Sequence, residues 1–353
     1  MEVTDYQRYT ISTIESYPTK YRKNLRSLFI SKGIAQEDTQ MSLGSLNAID
    51  ISGYNLNQQL NKCIEENTES LKVFEAWEFT KDYKYSVLFS TAQFNELLDR
   101  IDQNTPHFDG SFSPLYNTLE HPLFYDYDAH IALLKFNLKF EAVHPQTAEE
   151  LLARYPVVVA FHKDAKIIEI RFDALKRFFM ENTDSFYAHL ADDVCKFIKD
   201  FFEHELTPLD LDFLVTNAQH ENSHVRLVAQ TMKMANGSYA QLDVGKNEEY
   251  ILPFIGELKN FLIEYATEFE KVPHLKDAFD QFIFEKEVTS DYPWIELLWE
   301  EEIKTRSIHV KFTFNYCQRG YCLLQHYFNN TLIGMERMNR VVNFIDEVRR
   351  NPQ

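Results

Sequence analysis

Glycine is scarce in this chain, 9 residues of 353, and proline is modest at 11. So little glycine argues against Gly-rich phosphate loops, tandem tight hairpins and low-complexity linkers. The four cysteines are too few for a disulfide framework. Cys63 and Cys195 stand alone in helix-like surroundings, where a buried free thiol is the usual outcome. No window approaches ~18 uninterrupted apolar residues, the length a membrane span needs, and lipidation motifs are lacking at both ends. Met1-Glu2-Val3-Thr4-Asp5-Tyr6 is polar and acidic, unlike the basic start and apolar stretch of a signal peptide. No P-loop, G-x-G-x-x-G, G-x-S-x-G or CxxC pair occurs. These absences predict a soluble cytoplasmic protein with no membrane partner.

What the chain has in quantity is aromatic surface and unevenly placed charge. Apolar residues make up 44%, and 29 Phe with 19 Tyr supply the buriable area of a folded protein. The length favours two or three packed units over one. The formal charge is −18 overall, but residues 181–302 carry 26 acids against 9 bases and residues 303–353 carry 3 against 8. An acidic middle of net −17 thus precedes a tail of net +5. Charge concentrated in this way repels itself and is usually kept for solubility or for a partner.

Periodicity predicts a polar, helical start, with an amphipathic helix over Tyr21 to Ile30 closed by Gly33 and another over Gln58 to Leu71. The period then changes to two. Leu134, Phe136, Leu138 and Phe140 alternate with Lys135, Asn137, Lys139 and Glu141, which predicts an antiparallel strand with one wet face. Val157 to Phe161 and Ile167 to Phe172 flank a polar loop and read as a hairpin, and Tyr85 to Phe89 as a further strand. From Ala174 the pattern reads as helical: Ala174 to Glu181, Leu190 to Glu205, a helix starting near residue 209, Val225 to Ala235, Ile251 to Phe269, His274 to Phe284 and Trp294 to Ile303, with Tyr239 to Val244 as a short strand.

The basic tail reads as ββα. Ile308, Val310, Phe312, Phe314 and Tyr316 share one face, Arg319-Gly320 offers a two-residue turn, and Leu332 to Val348 is helical. That turn would set Cys317 opposite Cys322, close enough for a disulfide or a shared metal, though two reduced thiols are the plainer expectation. Lys304, Arg306, Lys311 and Arg319 on the hairpin, with Arg337, Arg340, Arg349 and Arg350 on the helix, could hold a phosphate backbone beside Tyr316, Tyr321 and Tyr327. Equally, the tail could dock on the acidic middle, and the net charge opposes nucleic acid.

One string has a catalytic look. His220-Glu221-Asn222-Ser223-His224 fits HExxH, which on a helix sets two imidazoles on one face for zinc and a glutamate beside them as general base. On these five residues it resembles zinc-dependent metallopeptidases. Arg226 stands where that family has an apolar residue, and no third ligand is evident. Asn222 or Ser223 capping a helix from Val225 accounts for the same string without a metal. Asp210 and Asp212 read as acids of a first helical turn rather than a metal pair. Glu169-Ile170-Arg171 with Asp164 resembles a nuclease layout, but arginine stays charged and cannot act as the base.

The expectation is therefore an α+β protein: an antiparallel-sheet α/β domain over 1–175, an acidic helical domain over 176–303, and a basic ββα unit over 304–353 packed on the helical domain. The leading functional expectation is a non-enzymatic interaction or assembly protein with a protein partner or self-association and no cofactor. One alternative is nucleic-acid or partner binding through Lys311, Arg319, Arg337 and Arg340. The other is a zinc-dependent hydrolase with His220 and His224 as metal ligands and Glu221 as catalytic base.

Overall fold

The computed structural model describes residues 3–37, 48–144, 146–180, 184–219, 225–234, 236–245, 255–299, 307–327 and 334–351. Among them the helices are α1 (Val3–Ser16), α2 (Thr19–Ser31), α3 (Leu56–Glu66), α4 (Glu69–Thr80), α5 (Phe94–Asn104), α6 (Phe186–Phe202), α7 (Phe213–Gln219), α8 (Ile255–Glu264), α9 (Ala266–Phe269), α10 (Pro273–Val288) and α11 (Glu336–Arg350). The strands are β1 (Ala35–Gln36), β2 (Ile49–Asp50), β3 (Tyr85–Ser90), β4 (Leu123–Asp126), β5 (Ile131–Val143), β6 (Glu150–His162), β7 (Ile167–Phe172), β8 (Thr207–Pro208), β9 (Val225–Lys233), β10 (Tyr239–Asp243), β11 (Asp291–Trp299), β12 (Ile308–Thr313) and β13 (Leu323–Tyr327). The chain is α+β, and its long strands pair antiparallel. No described helix is long and apolar enough to cross a membrane. Cα packing divides the chain into two units, residues 1–207 with 332–342 and residues 208–331 with 343–353.

In the first unit the strands run in the order β3-β7-β6-β5-β4. Register places Leu134 opposite Val159 and Phe136 opposite Val157, so one face of the sheet is continuously apolar. Helices α5 and α6 cover it: Phe94 meets Phe161 edge-on, Phe197 meets Phe136 edge-on, and Tyr187 stacks on Phe172. Beside the sheet, α1 to α4 enclose a second core around Leu25, Phe29, Leu60, Ile64, Leu71 and Phe74. A capping box starts α3, with the Asn55 side chain accepting from the Gln58 N–H and the Gln58 side chain accepting from the Asn55 N–H.

The other face of this sheet corrects the expectation of a wet side. Lys135 and Asn137 on β5 and Arg154 on β6 are all buried. The reason is α4, whose inward positions include Glu75 and Glu78 as well as Leu71 and Phe74, so acids cover bases. Further along the same face, β7 carries Glu169 and Arg171, both fully buried.

In the second unit the order is β10-β9-β11-β12-β13. Ile295, Leu297 and Trp299 on β11 pair with Phe312, Val310 and Ile308 on β12, which fixes one buried face, and Phe344 of α11 meets Trp299 edge-on. Two segments expected as helices are strands. Val225 to Lys233 is β9, where residues 228–232 are buried on both faces and show no strand alternation. Trp294 to Trp299 lies in β11; Trp294, Leu297 and Leu298 fit a helical spacing, but burial follows Ile295, Leu297 and Trp299 at period two. The acidic middle is thus mixed, with β9, β10 and β11 beside α7 to α10. The region Ala174 to Glu181 holds only a short 3-10 turn over Arg177–Phe179 among its described residues.

The β12–β13 connection is also longer than the expected two-residue turn. Pairing ends at Thr313 opposite Leu323, and Tyr316–Gln318 forms a 3-10 turn in the loop. Cys317 is exposed in that loop, whereas Cys322 is buried, so they are not cross-strand partners, and none of Cys63, Cys195, Cys317 and Cys322 is in a disulfide.

Candidate functional site

The residues of the HExxH string, His220, Glu221 and His224, lie outside the described residues, as do Lys304 and Arg306. Among the described residues, no three His, Cys, Asp or Glu side chains stand together to hold a metal ion. Asp210 precedes α7 and accepts a hydrogen bond from the Asp212 N–H at 2.9 Å, a local turn before the helix.

The described basic residues proposed for phosphate contact lie on different elements. Lys311 lies on β12 with its Nζ 3.5 Å from the Trp294 ring centroid and 3.8 Å from Glu296. That carboxylate also meets His309 Nε2 at 2.8 Å and accepts from the Tyr327 hydroxyl at 3.3 Å. Arg319 is exposed in the β12–β13 loop and Arg340 is exposed on α11. Arg337 is fully buried, which corrects its assignment as a nucleic-acid or partner contact: a guanidinium sealed in the fold cannot reach a phosphate.

Among the described residues, a dense constellation of buried charge lies where the sequence pattern implied a wet face. Glu75 and Glu78 of α4, Lys135 of β5 and Arg154 of β6 are all fully buried at their side chains. Lys135 Nζ lies 2.5 Å from Glu75 Oε1 and 3.4 Å from Glu78 Oε2. Arg154 Nε donates to both Glu78 oxygens at 2.9 Å, and its Nη2 donates to Glu75 and Glu78. Tyr6 donates to Glu75 at 2.6 Å and Asn137 at 2.8 Å. When all four are ionised, two anions and two cations cancel, which limits the cost of holding charge in a low-dielectric interior. Burial pushes the Glu78 carboxyl up to about 8, against the pull of Lys135. Further along the sheet, Glu169 accepts from Arg171 at 2.6 and 2.8 Å and faces His162 at 3.1 Å, while burial lowers the His162 pKa. Glu169-Ile170-Arg171 is therefore a sealed ion pair with no access for a substrate.

Where α4 ends, the same face opens into a cavity of about 490 Å³ in the first unit. Tyr21 and Trp77 form its aromatic wall together with Tyr127 from the β4–β5 turn, and Asp82, Asp128 and Glu336 also line it. Lys81 lines it too but is spoken for: its Nζ pairs with Asp173, lies 3.8 Å from the Tyr83 ring centroid, and has Tyr17, Tyr21 and Trp77 within 5.8 Å. Asp82 is buried and its Oδ2 accepts from the Gly334 N–H at 3.2 Å. Burial pushes the Asp82 carboxyl up to about 6, with Arg337 and the Gly334 N–H acting the other way. The sequence signal for this region was available in 71–83, where Glu75 and Glu78 share inward spacing with Leu71 and Phe74 and stand among Trp77, Phe79, Lys81, Asp82 and Tyr83.

The second unit has a different character. Its helices α8 to α10 close on a small core of Leu262, Phe269 and Ile283. Around that core, Phe261, Ile263, Tyr265, Val272, Leu275, Phe282 and Phe284 are 39–69% exposed. A separate cleft of about 1100 Å³ runs past Phe284, Glu287 and Asp291 to Tyr321 and Cys322. No protein-family model matches the chain, and neither a curated protein nor a solved structure is similar to it.

Proposed function

We propose that this chain is a non-enzymatic interaction protein of the cytoplasm, and that α8 to α10 carry its contact surface. The observation behind this reading is the concentration of seven large apolar side chains, 39–69% exposed, within residues 261–284. Monomeric proteins scatter such residues singly, and a local concentration marks a surface that a partner covers. Residues 255–288 also carry eight acids against four lysines. Apolar residues interleaved with acids suit a protein partner whose apolar groove is rimmed by basic residues. A second copy of this chain, at net −18, is a poorer electrostatic match. Four cysteines with no disulfide among them suit a reducing compartment.

The test is capture by the tagged full-length chain from native lysate, with identification of the bound protein, beside the double variant Ile263→Glu/Phe282→Glu. Both positions are exposed, so helix content by circular dichroism should be unchanged. The double variant is expected to lose affinity for the captured protein by about a hundredfold, the loss of two interface anchors. Equal capture by both proteins, or no partner and a monodisperse monomer, refutes the assignment.

A further inference from the structure

We propose that the cavity at the end of α4 in the first unit binds a small organic cation carrying an ammonium group. Its walls have the two components that such a ligand needs. Tyr21, Trp77 and Tyr127 supply aromatic surface, and Asp82, Asp128 and Glu336 supply negative charge. The volume of about 490 Å³ accommodates a molecule far larger than a bare ion. Among the described residues no group of three His, Cys, Asp or Glu side chains stands together to hold a metal ion.

Asp82 points to the ligand independently. It is 1% exposed and lines the cavity, and while Oδ2 takes the Gly334 N–H, Oδ1 is buried without a hydrogen-bond partner. A buried carboxylate oxygen left in this state is costly, and a donor bound in the cavity removes the cost. An anion fits less well. The two amides just before α11 are already used, Gly334 by Asp82 and Met335 by the Thr80 carbonyl at 2.8 Å. Lys81, the ammonium at the wall, is held by Asp173 and by Tyr83. This site is separate from the surface on α8 to α10, and neither proposal depends on the other.

Calorimetric titration of the full-length protein with tetramethylammonium and with spermidine, at ~150 mM salt to screen unspecific attraction, tests the assignment. Inorganic phosphate serves as the anionic probe. At least one ammonium probe is expected to bind, with affinity falling about tenfold or more in Asp82→Asn, the loss of one charge-assisted contact. Tyr127→Ala, at a side chain 41% exposed, is expected to weaken binding about threefold. It also keeps the test decisive if Asp82→Asn does not fold. The proposal is overturned by absence of ammonium binding at ~10 mM, by affinity unchanged in the folded variants, or by phosphate binding in place of the ammonium.

Discussion

Replacing Arg154 by methionine asks the most of the buried ionic network. In the native chain Arg154 donates through Nε and Nη2 to Glu78 and through Nη2 to Glu75, and its guanidinium lies 4.9 Å from the Tyr6 ring centroid and 5.4 Å from that of Phe74. Methionine keeps much of the contact with those rings and removes the charge. Two carboxylates then face the single ammonium of Lys135, and breaking a sealed ion group by removal of one member costs about 3–5 kcal/mol. The loss depends on pH with a definite sign. Glu78 is held up at about 8 from an ordinary 4.5, so the stability linked to its protonated form is complete below 4.5 and disappears as the pH rises through about 8. Protonation relieves the surplus carboxylate, so Arg154→Met should be less destabilised near pH 5 than near pH 9. Urea titrations followed by circular dichroism at both pH values measure this directly. The companion Arg154→Met/Glu78→Met removes one charge of each sign and should recover about 1–3 kcal/mol relative to the sum of the single changes. A single-variant loss below about 1 kcal/mol, or strict additivity in the double, would falsify the account of a neutral network held by mutual compensation.

Two further changes probe the wall of the first-unit cavity. Asp82 is held at about 6 instead of 3.8, so its contribution to stability is complete below 3.8 and is lost as the pH rises through about 6. Asp82→Asn should accordingly raise the unfolding free energy near pH 8 by roughly 2–3 kcal/mol and change it little near pH 4; denaturant midpoints that move equally at both would contradict it. Gly334 has φ +72°, and a β-carbon added there would meet the Thr80 carbonyl oxygen at 2.9 Å, whereas Gly53 has φ +77° with nothing within 4 Å. Gly334→Ala should therefore cost roughly 2–3 kcal/mol in the same titrations and Gly53→Ala only the backbone part, roughly 1 kcal/mol; equal losses would show that close approach at Thr80 is immaterial.

The strands and helices that alternate cleanly were legible in the sequence, and those buried on both faces were not. Ile308, Val310 and Phe312 are buried at period two as their spacing implies, and His162 pairs with Ile167 across the loop expected between β6 and β7. Val228 to Met232 in β9 is buried at every position, so no period distinguishes strand from helix there, and valine and threonine content is the remaining cue. The charged sheet face failed for a different reason. Lys135 and Asn137 have the composition of a wet face, and only the pairing of β5 with acids 57 to 62 residues earlier in the chain makes them interior. Periodicity along one segment carries no information about which element covers it. The first-unit cavity was hidden in the same way, since Tyr21, Trp77, Tyr127 and Glu336 meet only after the fold has formed.

The same charges that obscured this face also specify the sheet. Lys135 and Asn137 share a face of β5 because they are two residues apart, and Arg154 joins them from β6. Sliding β5 by one residue would send Lys135 and Asn137 to the side where Phe136 and Leu138 now meet α6, and would bring Phe136 under Glu75 and Glu78. A purely apolar strand would resist that slip only through packing. Here the slipped arrangement strands two buried carboxylates without Lys135 and buries an ammonium among phenylalanines, a penalty of several kcal/mol per unpaired ion. Even if the network contributes little net stability relative to a well-packed apolar alternative, it separates the native register from its nearest competitor by far more than hydrophobic burial alone could.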